Sequence, residues 1–315
     1  MSKKSNPIEG YVFSLSSEDF DYLLKAIDKR IDKQKYGYTT FEEAAIHYGR
    51  IPTCPKCLSS AYHLDGHTNA NHKRYRCNNC DTSYTLLSNS IFNGSKISLH
   101  KLVYYIELMC EILQISTNTA ELWRKKIFST VNNYQDNLIL SNNIWIDETY
   151  IEDYEVEAIS KGKHLRGLSK SKICIVVAID SNKNMIATIA GHAKPSSKII
   201  SKALKSHIKE GSNIIHDGDH SHYQLIQELN CTEEYYKANS KDELYLEKMS
   251  LINNMCSWLK RYLRRFLGMD INNLQSYLNW FIYLQRVKMN SDKYPKNERI
   301  LRHLLLSNTR FTRKY

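Results

Sequence analysis

The stretch NIWIDETYI, residues 143–151, decides the fold. Its β-branched and aromatic residues read as a strand, and one acid, Asp147, interrupts the apolar run. An acid inside such a strand is costly to bury unless something compensates it, and a divalent cation is the strongest compensation available.

Working outward, KICIVVAIDSNKNMIATIAG (172–191) reads as a hairpin turning at SNKN, and SSKIISKALKSHI (196–208) as a helix. A further strand, SNIIHDGDH (212–220), ends in acids and is followed by a short helix, YQLIQEL, and a short strand, EEYYKA. Three antiparallel strands, then helix, strand, helix, strand and a last helix predict an α/β domain of ribonuclease-H-like type. In that order the first strand is central. Asp147 projects from its middle and Asp217 sits at the end of the neighbouring strand. Two carboxylates brought together would repel, and a shared Mg²⁺ reverses the sign of that interaction. Two hard cations about 4 Å apart can activate an attacking oxygen and stabilise a leaving 3′ oxygen in phosphoryl displacement. The plain alternative is that Asp147 caps a turn and Asp217 belongs to an Asp-Gly loop turn.

The last helix is LINNMCSWLKRYLRRFLG (251–268). Helical spacing puts Ile252, Met255, Leu259, Leu263 and Phe266 on a core stripe. Asn253, Ser257, Lys260 and Arg264 share the other side, which is either a solvated basic face or a face that carries chemistry.

Nearer the N-terminus, CPKC (54–57) and CNNC (77–80) are separated by 19 residues. Each Cys-x-x-Cys turn can point two thiolates at one ion, so Cys54, Cys57, Cys77 and Cys80 predict a tetrahedral structural zinc site in a zinc ribbon. His63, His67 and His72 lie between the pairs, but four thiolates saturate such a site. The other four cysteines, Cys110, Cys174, Cys231 and Cys256, have apolar neighbours and read as reduced core residues.

Before the ribbon, VFSLSSEDFDYLLKAIDKRIDKQ (12–34) predicts a serine-capped helix whose Phe20, Leu23, Leu24, Ile27 and Ile31 pack on the next segment of the chain. After the ribbon, residues 97–131 predict two helices joined at ISTNT, with Ser116 or Thr117 as a cap and a basic cluster at Arg124, Lys125 and Lys126. The pair suits a helix-turn-helix DNA contact or plain packing.

The whole chain of 315 residues carries a net charge of +11, which favours a polyanionic partner, because basic surfaces gain affinity by releasing condensed counterions. A membrane surface is the weaker partner, since neither end reads as a basic amphipathic anchor. No apolar run approaches the ~18 residues of a membrane span. The opening MSKKSNPIEGYVFS lacks an apolar core and cleavage signature, so a cytoplasmic, DNA-associated protein is expected.

Together, CPKC with CNNC, LSNSIF, TAELWRKKI, IDETYI, HDGDHSHY, INNMCSWLKRYLRRFLG and LQSYLNWF resemble the insertion-sequence transposases of the DDE superfamily, from about residue 40 to 288. More narrowly they are similar to the zinc-ribbon-bearing group related to Merlin elements. The resemblance implies that Asp147 and Asp217 are the first two catalytic acids. It implies that Asn253, seven residues before Lys260, takes the third place, ahead of Glu247 and the weaker Glu243. An amide carbonyl coordinates Mg²⁺ without bringing charge, so substrate phosphate would supply more of the ligation. Lys260, Arg261 and Arg264 are then expected on DNA phosphates, with Lys260 orienting the reacting one. The implied function is metal-dependent cleavage and strand transfer at terminal inverted repeats, with Mg²⁺ or Mn²⁺, double-stranded DNA and a homo-oligomeric synapse as partners. The alternatives are a DNA-binding remnant without activity, or a structure-selective nuclease on the same fold. The segments before ISTNT and after IDETYI are shorter than the family's.

The expected organisation is an N-terminal helical segment (1–45), a zinc ribbon (46–92) and a helical DNA-binding segment (93–140). A catalytic domain (141–289) and a basic tail (290–315), disordered or on DNA, complete it.

Overall fold

The computed structural model describes residues 7–69, 72–95, 97–108, 117–153, 172–239, 241–266 and 269–311. Two compact units share the chain. One comprises Met1–Thr130 together with Lys293–Tyr315, the other Val131–Asp292.

The first unit opens with α1 (Pro7–Ser14) and α2 (Ser17–Tyr36). Ser16 caps α2 by accepting the Asp19 N–H, and Gly37 ends it at φ +82°, a left-handed conformation that glycine adopts without strain. The expected packing of its apolar stripe is not what forms. Phe20, Leu24, Ile27 and Ile31 stay exposed, and the contact instead runs through Asp32, which is buried and bonded to His100 at 2.9 Å. Next come α3 (Phe41–His47) and a three-stranded antiparallel sheet of β1 (Tyr62–His67), β2 (Lys73–Cys77) and β3 (Ser83–Thr85). The two helices expected over 97–131 are α4 (Leu99–Leu108) and α5 (Thr117–Ser129); their connection, including Cys110 and the Ser116 cap, lies outside the described residues.

The second unit is built on a five-stranded sheet. Strands β4 (Asn143–Glu152), β5 (Lys172–Asp180) and β6 (Met185–His192) run antiparallel in sequence order. Helix α6 (Ser197–Leu204) crosses to β7 (Asn213–His216), which joins β4 in parallel. A short α7 (Tyr223–Glu228) leads to β8 (Thr232–Tyr235), parallel to β7. The spatial order is β6-β5-β4-β7-β8, so the strand carrying NIWIDETYI is central. Ile144 and Ile146 point to one face, where they join Val176, Ile200, Leu204, Ile214 and Leu225 in an apolar core. Against the opposite face lies α8 (Glu243–Leu263), with its stripe of Ile252, Met255, Leu259 and Leu263 buried as its periodicity requires. Helix α9 (Leu274–Met289) completes the unit and packs on β6. The short segment after IDETYI falls on residues 154–171, outside the described residues.

Residues 290–315, expected as a disordered or DNA-bound tail, contain α10 (Lys296–Leu306), which returns to the first unit and packs on α3 and α4. Its Ile300, Leu301, Leu304 and Leu305 are buried, an i, i+1, i+4, i+5 stripe hidden among the basic residues. Arg50 fastens this return. Buried, it donates to the carbonyls of Leu86 (3.0 Å), Asn89, Leu305 (2.8 Å) and Ser307 (3.0 Å). Among the described residues no helix is long and apolar enough to cross a membrane.

Candidate active site and metal centre

The parallel ladder pairs Asn143 with Asn213, Ile144 with Ile214 and Trp145 with Ile215. Carried two residues further, that register sets Asp147 abreast of Asp217, the residue just past the end of β7. Their charges interact. Burial foremost, then the charges of Glu148 and Asp217, push the Asp147 carboxyl up to about 6. The Asp217 turn is tight: Gly218 has φ +84°, and a Cβ there would stand 3.3 Å from the Tyr235 ring, so the position suits only glycine. Asp217 Oδ1 accepts the Asp219 N–H at 3.0 Å, and Asp219 is ion-paired with Lys194.

Strand alternation sends Trp145 and Asp147 toward α8. Trp145 Nε1 donates to the Lys248 carbonyl at 2.8 Å, which fixes the helix against the strand. The α8 side chain that acts on the Asp147 carboxylate is the thiol of Cys256. Sequence reasoning placed this cysteine in the core on its apolar neighbours. It is indeed buried, and its meeting with Asp147 becomes legible only once helix and strand are docked. Asn253 lies one turn earlier on the same side, half-buried, its amide 3.5 Å from the Tyr245 hydroxyl. Glu243 and Glu247 are exposed near the start of the helix.

On the other face of β4, a hydrogen-bonded chain that the sequence did not disclose runs through the sheet. Glu148 Oε1 accepts from His222 Nε2 at 3.0 Å and from Ser221 Oγ at 3.1 Å. His222 Nδ1 lies 3.0 Å from His216 Nδ1, and His216 Nε2 lies 2.9 Å from Glu233. Both imidazoles are buried. Gly218 N–H donates to His216 Nδ1, so the His216 proton resides on Nε2 and the His222 ring supplies the proton between the two Nδ1 atoms. His222 is therefore the charged member. Burial opposes its charge, but Glu148 outweighs this and raises its pKa, while burial and His222 together lower that of His216. His216, Asp217 and His222 lie close enough to hold an ion, yet the imidazole nitrogens are already engaged with one another and with Glu148 and Glu233. Asp147 and Asp217 both carry carboxylate oxygens, a donor type that suits Mg²⁺ or Mn²⁺.

Lys260, Arg261, Arg264 and Arg265 are exposed at the far end of α8, and no carboxylate pairs with them among the described residues. The α5 cluster is less free. Lys125 pairs with Glu121 at 2.7 Å, and Lys126 rests on the Trp123 ring, 4.6 Å from its centroid.

In the first unit Cys54, Cys57, Cys77 and Cys80 converge as their spacing predicts. The two turns repeat one another. In each, the fifth residue from the first cysteine, Leu58 or Asp81, has positive φ and returns its N–H to the first cysteine's carbonyl at 3.0 Å. In each, the amide two residues on, Lys56 or Asn79, donates to that cysteine's sulfur at 3.4 Å. Sulfurs across the pairs are 3.5 Å apart, against about 3.8 Å for a tetrahedral ion with 2.3 Å zinc–sulfur bonds. Thr82, by hydroxyl and amide, brings the Cys80 thiol down to about 6. A four-thiolate cage of this shape fits a zinc ion. Of the histidines between the pairs, His63 bonds Asn78 and His72 faces Glu42.

The mixed α/β unit, a five-stranded sheet with helices, is compatible with a transposase domain. Residues 139–285, a little under half of the chain, match the family of ISXO2-like transposase domains, which supports a DDE-superfamily transposase. Among solved structures, the chain is similar to one in the simian T-cell lymphotropic virus intasome bound to PP2A regulatory subunit B56 gamma. That likeness has 13% identity and a TM-score of 0.32, and covers 53% of this chain and 56% of that one. No curated protein matches.

Proposed function

We propose that this protein is a DDE-type transposase that binds the terminal inverted repeats of its own element, cuts DNA there and joins the freed 3′ ends to target DNA. The observation that carries the reading is the placement of Asp147 abreast of Asp217 beneath α8, within the stretch that matches the transposase family. In this reading the second unit is a ribonuclease-H-like catalytic domain and the cysteine cage belongs to a structural zinc ribbon. Residues 46–92 and the helices to 140 grip the element ends. A homo-oligomer brings two ends together in the cytoplasm.

Asp147 and Asp217 would hold the catalytic divalent ions, Mg²⁺ or Mn²⁺, with the Asn253 carbonyl as a neutral third donor. Bound there, such ions polarise the scissile phosphate and stabilise charge that builds on its oxygens. The chain's own contribution is placement. The α8 cations, Lys260 first, orient the strand and offset developing charge. Burial around Asp147 excludes competing water.

The test is to incubate the protein with DNA flanking its gene and Mg²⁺ or Mn²⁺, then map new 3′ hydroxyl ends beside an Asp147→Ala control. Cuts at fixed positions in inverted repeats, absent from the control, are expected. Cuts at branched structures without repeat dependence would favour a nuclease. Specific binding without cuts would favour a DNA-binding remnant, a reading helped by Cys256, where α8 turns a thiol rather than a carboxylate toward Asp147.

A further inference from the structure

We infer that Glu148 and His222 are positioning residues for the metal-binding aspartates, acting from the opposite face of the sheet and never touching DNA or metal. This inference rests on the transposase reading for what the aspartates hold, but its geometry is independent of it.

Glu148 follows Asp147 directly in β4, and strand alternation turns its carboxylate away from α8 into the other layer. There it is 9% exposed and receives two donors from the segment that follows Asp217, Ser221 Oγ and His222 Nε2. His222 is completely buried and its ring meets that of His216 edge-on, with centroids 4.8 Å apart. His216 immediately precedes Asp217. The turn from 216 to 222 is thus closed by its own two histidines like a clasp, with Asp217 held inside it. Glu148 ties the clasp to the central strand and Glu233 ties it to β8. The backbone that presents Asp217 is therefore located by the same strand that presents Asp147. A buried charged imidazole is tolerated only opposite a carboxylate, so removing the Glu148 charge loosens the clasp rather than trimming a spare contact.

A neutral, isosteric Glu148→Gln keeps the shape and an acceptor oxygen but removes the charge that holds His222. Loss of an outer partner of this kind weakens metal affinity about 10- to 100-fold. The experiment titrates Mn²⁺ into full-length protein by electron paramagnetic resonance, without DNA, for wild type, Glu148→Gln, Glu233→Gln and Asp147→Ala, with circular dichroism melts of each. Cleavage is then measured against Mn²⁺ concentration. The expected result is Mn²⁺ binding at least about tenfold weaker in Glu148→Gln. A smaller loss in the same direction is expected in Glu233→Gln, whose exposed carboxylate can be changed without threatening the fold. Near-normal cleavage should return at saturating Mn²⁺, and Asp147→Ala should stay inactive at every concentration. Unchanged Mn²⁺ affinity in folded Glu148→Gln and Glu233→Gln overturns the inference. So does a folded Glu148→Gln that no Mn²⁺ concentration restores, because Glu148 would then take part in the chemistry itself. Wild-type protein that binds Mn²⁺ but cuts no DNA overturns the transposase reading alone, whereas wild type that binds no Mn²⁺ overturns both.

Discussion

Cys256, on the inner side of α8, stands close enough to the carboxylate of Asp147 on the central strand for each to shift the other's ionisation. Burial and that carboxylate raise the thiol well above its ordinary pKa, so it remains protonated and unreactive. Alkylation of the folded protein at pH 8 should spare Cys256 and label it only on unfolding, as read by mass spectrometry of digests. Rapid labelling in the native state would show that α8 does not seat against β4.

Asp147 takes its proton near pH 6 in the folded chain, against about 3.9 when unfolded. Its favourable contribution is therefore complete below about pH 4 and is lost as pH rises through 6. In metal-free protein at pH 8, Asp147→Asn should raise stability by about 1–3 kcal/mol. Added Mn²⁺ should stabilise wild type and leave the variant unmoved. Thermal melts with and without the ion distinguish this from an inert surface carboxylate, for which neither change occurs.

Metal analysis should find one zinc ion per chain, lost from Cys54→Ser and from Cys80→Ser. Because site formation is coupled to folding, stripping the ion should cost the first unit several kcal/mol. Hydrogen exchange should then rise across β1 to β3 while β4 to β8 stay protected. Protection retained by both regions after complete zinc removal would show that the cage is not structural.

Arg50 should be intolerant of change. Charge-assisted hydrogen bonds to buried carbonyls contribute about 1.5–3 kcal/mol each, and the four acceptors would lose their partner together. Arg50→Ala should lower stability by at least about 3 kcal/mol. Arg50→Lys should rescue little, since a point-like ammonium cannot reach four divergent carbonyls. Denaturant melts of both variants decide this.

The two basic clusters should separate in DNA binding. The α8 cations are unpaired by carboxylates among the described residues, so removing Arg261 and Arg264 should flatten the dependence of log affinity on log salt by about 2. Lys126 sits on Trp123, so Lys126→Ala should cost about 0.5–2 kcal/mol of stability and leave that slope nearly unchanged.

Much of the second unit was legible because its signals are local. The apolar strands, the acid within NIWIDETYI and the α8 stripe each obey a period of two or 3.6 residues, and the observed elements follow them. The paired cysteines were legible because both halves of the cage are written as the same short turn. Features assembled from distant segments were not. The Glu148–His222–His216–Glu233 chain joins three strands and a turn, and nothing in HDGDHSHY says which histidine faces inward. Helix α10 was hidden by its basic residues, and α2 misled in the other direction, since an apolar stripe says that a face can be buried but not that anything covers it.

The first unit is interrupted in sequence by the second: its chain leaves after Thr130 and resumes at Lys293. During vectorial synthesis, the whole of the second unit emerges from the ribosome before α10 and the Leu305 and Ser307 carbonyls that Arg50 awaits. The segment made first is thus the one completed last. A premature stop anywhere before α10, even one that spares every acid and every cysteine, would leave the unit that carries the cysteine cage without the final layer of its core.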